Sequence, residues 1–237
     1  MPCPECRAQT ADDHRYCAFC GFPLRPETLA ADHHTTPPEA ACERWERVAV
    51  RYPDQPEAHY NLGLAQYHLG RVDDAIAALE RAVTLEDALP HAHFQLAVAY
   101  YRRGRLDDCA AACRRALQYQ PGSVPARYRL ALSLYHLGEL DEALECFREV
   151  IAADTGYVIA HYHIGILYER LGMTDEAIAA FTVVADSNPG DAAAHYHLGV
   201  NYKRKGLDDL AIGEFTHVLQ LDPGDPAAEA ELRSLER

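Results

Sequence analysis

No stretch of the chain approaches the roughly 18 consecutive apolar residues that a membrane-spanning helix needs. Basic charge is scarce: 22 Lys and Arg stand against 36 Asp and Glu, a formal charge of −14 over 237 residues. That deficit argues against wrapping duplex DNA or lying on an anionic membrane, both of which need a net basic surface. The opening segment MPCPECRAQTADDHRYCAFCG lacks the basic region followed by an apolar one that marks a secretory signal, so a cytoplasmic chain is expected. Catalytic signatures are missing as well. There is no Gly-rich phosphate loop, no HExxH and no nucleophile elbow. What remains, 49% apolar and 24% charged residues, is the balance of a folded globular chain with room for a core.

Cysteine is plentiful and unevenly placed. Four of the eight form Cys3-x2-Cys6 and Cys17-x2-Cys20, with ten residues between the pairs. Each CxxC bends the backbone so that two sulfurs aim at one point, and two such knuckles supply a tetrahedral S4 site of the kind Zn²⁺ accepts. The segment is too small to fold by apolar burial, so metal binding is expected to supply its folding energy, roughly 10–16 kcal/mol. Four thiolates close the coordination shell, which makes the site structural and leaves His14 as a loop residue. Two disulfides, a redox CxxC, or iron in place of zinc are the competing readings; the ligand set by itself does not separate zinc from iron. CPEC and YCAFCG resemble the short zinc ribbon of many bacterial proteins, although Arg7 stands where that family usually has Gly. Cys42, Cys109, Cys113 and Cys146 have no such partners, and are read as apolar filler.

The rest of the chain repeats itself. Gly70, Gly104, Gly138, Gly172 and Gly206 recur every 34 residues, as do Leu62, Leu96, Leu130, Ile164 and Leu198. Five copies fill 56–225 without insertion, each with two apolar stretches at helical spacing separated by the Gly. Gly closes the first helix, and acidic pairs such as Asp73-Asp74 and Asp141-Glu142 open the second. Small residues at Gly63, Ala97, Ala131, Gly165 and Gly199 mark a close helix crossing. Leu79, Cys113, Phe147, Phe181 and Phe215 are expected to pack between neighbouring copies. One helix pair cannot bury its apolar face alone, so the copies must stack.

AHYNLGLAQYHLGRVDDAIAALERAVTLE (58–86) and its later copies resemble the tetratricopeptide repeat. The resemblance implies an all-α fold, a right-handed solenoid of five full repeats plus flanking half-repeat helices, with a small N-terminal zinc ribbon in front. The expected divisions are a ribbon at 1–24, a flexible linker at 25–38, a half-repeat helix at 39–55, the repeats at 56–225 and a capping helix at 226–237. In this family the first helices line the concave face, and ligand-facing residues are the second, fifth, sixth, ninth, twelfth and thirteenth of each repeat. Carried over, that face holds Tyr60, Tyr67, Phe94, Tyr101, Arg102, Tyr128, Arg129, Tyr135, Tyr162, His163, Arg170, Tyr196, His197, Lys203 and Arg204. With Glu57 and Glu169 included its formal charge is +3, leaving −17 for the remainder of the molecule.

An aromatic, mildly basic groove on an acidic body points to a protein or an extended peptide as partner, with acidic peptides favoured. The fifth and ninth positions are Tyr or Phe and Leu, Val or Ile, not the Lys and Asn of repeats that clamp chaperone tails. A nucleic-acid-associated factor is the alternative, using the ribbon and stacking bases on the groove; the absence of a Lys/Arg cluster counts against it. The HxH pairs at 91/93, 161/163 and 195/197 point to opposite sides of a helix and cannot chelate one ion. A non-enzymatic adaptor is the reading that uses the whole chain.

Overall fold

A computed structural model describes residues 38–235. Cys3, Cys6, Cys17 and Cys20, and the linker up to residue 37, lie outside the described residues. Each 34-residue copy folds as two helices because its apolar residues recur at helical spacing on either side of one Gly. α1 is Pro38–Arg51, followed by α2 (Pro56–His68) and α3 (Val72–Leu85), α4 (Pro90–Arg102) and α5 (Leu106–Tyr119), and α6 (Val124–Leu137). Then come α7 (Leu140–Ala153), α8 (Val158–Leu171) and α9 (Thr174–Ser187), α10 (Ala192–Arg204) and α11 (Asp208–Leu221), and α12 (Pro226–Leu235). The described residues are all-α, without strands. They fall into two compact units, one ending at Glu139 and the other starting at Leu140.

The recurring Gly sits at φ between 71° and 86° in all five copies, a left-handed conformation that a side chain resists. Acidic residues occupy the first turn of every second helix, against the positive end of its dipole. Proline opens α2 and α4, where a missing N–H costs nothing, and Ser123, Asp191 and Asp225 cap α6, α10 and α12 with their side-chain oxygens.

In both units the two helices of a repeat meet where the first offers a small residue and the second a larger one. A Cβ added at Gly63 would lie 2.6 Å from Leu79 Cγ, one at Gly165 2.8 Å from Phe181 Cζ, and one at Gly199 2.7 Å from Phe215 Cε1. The same two register positions in the second repeat hold Ala97 and Cys113, both fully buried, with a larger residue on one side and a smaller on the other. Phe147, Phe181 and Phe215 are completely buried, worth about 1.5–3 kcal/mol each. They also reach the following element: Phe181 stacks flat on His197 and Phe147 on His163. α12 closes the second unit by packing Ala228, Leu232 and Leu235 against the Phe215 cluster. At the other end, α1 buries Ala41, Cys42 and Ala49, whereas Trp45, at the large-apolar register position, is only half-buried under the Arg44 guanidinium.

A second recurring device ties down the loops. His59 Nε2 lies 2.9 Å from the Pro53 carbonyl, His93 Nε2 2.8 Å from that of Asp87, and His195 Nε2 3.2 Å from that of Pro189. Arg127 takes the same place in the third repeat and donates to the Pro121 carbonyl at 2.8 Å. A carbonyl can only accept, so each histidine donates from Nε2. These side chains therefore have a mechanical task, fastening a first helix to the loop before it.

Two predictions follow from this packing. Gly199→Ala gains helix propensity but drives a methyl into Phe215, so a net destabilisation of about 1–2 kcal/mol is expected in urea unfolding. An unchanged or raised midpoint would contradict the crossing described. Burial lowers the pKa of His91, His93 and His161. The unfolded chain, titrating near 6.5, takes up protons that the folded chain refuses. Their share of stability is thus complete above about pH 6.5 and is lost as the pH falls below it. Urea midpoints at successively lower pH should decline, and His161→Arg, copying Arg127, should flatten the decline.

Candidate functional site

In the first unit the face made by α2, α4 and α6 carries a ladder of rings and guanidinium groups. Arg102, at the end of α4, lies 5.1 Å above the Tyr67 ring of α2, and Arg129 of α6 lies 4.8 Å above the Tyr101 ring of α4. Tyr60 meets His91 edge-on at 4.7 Å, and Tyr101 and Tyr135 both adjoin His136. A cation over a ring keeps its charge while losing freedom, so Arg102 and Arg129 are presented in fixed positions. Arg129 is the more deeply set, and its Nε is buried without a hydrogen-bond partner. Burial raises the Tyr101 pKa. Tyr128 differs from the expectation: it is 5% exposed and belongs to the core of this unit rather than to its surface.

Beside this ladder a cavity of about 250 Å³ opens between Tyr60, His91, Phe94 and the Gly122–Pro125 segment. Gln95, 9% exposed, lines it. Cys109 and Cys113 lie nearby in the chain but are wholly buried; Ser133 Oγ sits 3.0 Å from Cys109 Sγ, and hydrogen bonding from Cys113 lowers the Cys109 pKa.

In the second unit the corresponding face, on α8 and α10, is built around His197. Its ring stacks on Phe181 at 4.7 Å, Tyr162 meets it edge-on at 5.8 Å, and Tyr196 lies at 5.9 Å. His163 stacks on Phe147 and meets Tyr162 edge-on. His197 Nδ1 is 3.1 Å from Glu169 Oε2, and Asn201 Nδ2 donates to Glu169 Oε1 at 2.5 Å and to the His197 carbonyl at 2.7 Å. The Glu169 side chain is only 12% exposed, so it organises the interior of the face rather than opposing a ligand's charge. Lys203 Nζ lies 2.6 Å from Glu231 Oε2 and 2.7 Å from Ser234 Oγ, both on α12. Arg170 and Arg204 are exposed at the ends of α8 and α10. Glu169 and Lys203 are answered from within and cancel each other, so the formal +3 rests on Arg102, Arg129, Arg170 and Arg204 against Glu57.

Three participants were not among the expected residues. Gln95 and Asn201 are polar side chains buried in first helices, and Glu231 comes from the capping helix. Asn201 had a readable signal, since its register position holds Ala65, Ala99, Ser133 and Leu167 in the other repeats.

The second unit has another cleft, of about 470 Å³, walled by Ile151, Ile164, Ala180 and Val183, with Arg148 and Glu176 beside them. One wall carries Val183, at a register position where three other repeats carry Arg or His. Arg81 and His217 reach the carbonyls of Pro53 and Pro189, and Arg115 reaches Asp87; Val183, at the same register position, cannot. Among the described residues no group of three or more His, Cys, Asp or Glu is arranged to hold a metal ion, and no helix is long and apolar enough to cross a membrane.

Stacked helix pairs with a turn Gly every 34 residues and aromatic first-helix faces define an α-helical repeat protein. The chain belongs to the tetratricopeptide repeat family: that family model matches residues 38–93 and 162–226, just over half of the chain, and a second TPR repeat model matches 131–172. Residues 73–150 match the model described as anaphase-promoting complex, cyclosome, subunit 3. Among solved structures the fold is similar to YrrB, described as a TPR protein with an unusual peptide-binding site. The TM-score is 0.74 at 20% identity, covering 81% of this chain and 100% of that one. MamA is similar at 25% identity and TM-score 0.66, covering 68% of this chain and 95% of that one. MamA from Desulfovibrio magneticus RS-1 gives 23% identity and TM-score 0.67, covering 72% and 97%. No curated protein matches the chain in sequence.

Proposed function

We propose that this chain is a non-enzymatic protein–protein interaction adaptor that holds an extended peptide, or an exposed segment of a partner protein, against the first-helix faces. The observation that carries this reading is the ladder in the first unit, where Arg102 and Arg129 are fixed over Tyr67 and Tyr101. Held cations with aromatic neighbours suit a segment that alternates acidic and apolar side chains. The peptide-binding site described for YrrB, a protein of similar fold, adds support.

Fluorescence polarisation with matched acidic, neutral and basic peptides tests it. The acidic set should bind best, and Arg102→Glu should weaken that binding about fivefold to tenfold, roughly 1 kcal/mol, with the thermal midpoint held within about 2 °C. Equal binding of all three sets would sink the preference for acid. Salt-dependent binding of single-stranded RNA in place of any peptide would replace the adaptor with a nucleic-acid-associated factor.

We further propose that Cys3, Cys6, Cys17 and Cys20 hold one structural Zn²⁺ in a ribbon that offers the partner an accessory contact. The support is their CxxC spacing, which suits an S4 shell. Elemental analysis of the purified chain should find about one zinc per molecule, lost in Cys6→Ser and Cys17→Ser variants. Iron in equal amount, or no metal, would overturn the assignment.

A further inference from the structure

The sixth residue of each repeat has a partner in four of the five copies. Asn61 donates to the Glu57 carbonyl at 2.7 Å, Arg129 lies over Tyr101, His163 stacks on Phe147, and His197 stacks on Phe181 and bonds Glu169. Gln95 is the exception. The residue as a whole is 9% exposed, its carboxamide makes no hydrogen bond to the described residues, and it lines the 250 Å³ cavity of the first unit. An amide on a cavity wall with no partner of its own can both donate to and accept from a bound group.

The cavity lies beside a small residue, the same type as Ala82 at that register position of the first repeat. Ala116 lines it, and the corresponding residues of the next three repeats are Val150, Val184 and Val218. Valine at Ala116 would add two methyl groups to a wall shared with the Tyr60 and Phe94 rings. No lining residue is an acid, Lys or Arg. A carboxylate or ammonium placed there would be buried without a counter-charge, which excludes charged side chains as occupants. Burial lowers the His91 pKa, which keeps that ring neutral at neutral pH. At about 250 Å³ the space falls below the roughly 300–1,000 Å³ of pockets for drug-sized ligands, which suits one side chain.

We propose that this cavity receives a single uncharged aromatic side chain of the bound segment, packed between Tyr60 and Phe94, while Gln95 hydrogen-bonds the adjoining main-chain amide. The inference rests on the reading of this face as a peptide-binding one, and it divides the recognition. The aromatic anchor enters the pocket, and acidic neighbours meet Arg102 and Arg129 outside it. Edge-to-face contact with two ring walls favours an aromatic over an aliphatic occupant.

The test is an NMR titration of the full chain with N-acetyl-phenylalaninamide, N-acetyl-leucinamide and N-acetyl-aspartate amide. The phenylalanine probe should shift the Gln95 side-chain amide and the Gly122 and Ser123 backbone amides saturably. The leucine probe should act more weakly and the aspartate probe not at all. Ala116→Val should reduce the affinity about tenfold or more by filling the space, and Gln95→Leu should reduce it while keeping the volume. Absence of saturable shifts at these residues, equal response to all three probes, or indifference to Ala116→Val would overturn the pocket. If acidic peptides still bind and still respond to Arg102→Glu, the pocket fails while the peptide reading stands. Saturable shifts at Gln95 with no binding of any peptide would fail the peptide reading instead.

Discussion

How closely the first helix of a repeat can approach the second governs the rest of the structure. Gly63, Gly165 and Gly199 leave just enough room for Leu79, Phe181 and Phe215, with an added Cβ falling inside 3 Å of each. A side chain lodged over a glycine is buried almost completely, and it is held at a fixed height. Fixed there, Phe181 presents one ring face to the next repeat, where His197 lies flat against it. The apolar crossing and the polar face are therefore not separate features. The knob that joins two helices of one repeat also positions a site residue on the following one.

Histidine recurs at two positions of the repeat and serves differently at each. At the fourth position it holds the preceding loop by a carbonyl, a role that Arg127 can fill because only a donor at the right reach is required. At the sixth position it is a flat surface for the knob, and at His197 also a partner for Glu169. The two positions diverge because successive residues of a helix face different surroundings. One points to the loop carbonyl and the other to the ring beneath. The second unit adds Asn201, fully buried and bonded to both Glu169 and the His197 carbonyl. A network of this kind fixes the spacing of α8 and α10 more sharply than apolar contact alone.

The fold was largely legible in the sequence, since its signals are local. A Gly that must take positive φ, acids at a helix start and a 34-residue register each act within one or two turns, and the helices begin and end where these signals stand. Family register also brought Tyr67, Arg102, Tyr101 and Arg129 to attention, and these four lie together. What register does not contain is the identity of a partner one repeat away. Glu169 counts as an open negative charge until His197 and Asn201, 28 and 32 residues on, are seen to enclose it. Lys203 counts as an open positive charge until Glu231 of the capping helix is found beside it. Tyr128 shares its register with the half-buried Tyr60 and Tyr162, yet its neighbours cover it. Likewise the cavity beside Gln95 is bordered by Ala116, smaller by two methyl groups than the Val of the three following repeats, a difference that has meaning only once the packing is known.

The central claim is that the packing knob and the site residue are one mechanical unit. A double-mutant cycle on Phe181→Leu and His197→Ala, followed by urea unfolding, measures it directly. The account predicts a coupling energy of about 0.5–1.5 kcal/mol between the two positions, the worth of a stacked ring pair beyond its buried area. Effects that add to within about 0.3 kcal/mol would contradict it, and the aromatic face would then be independent of the core beneath.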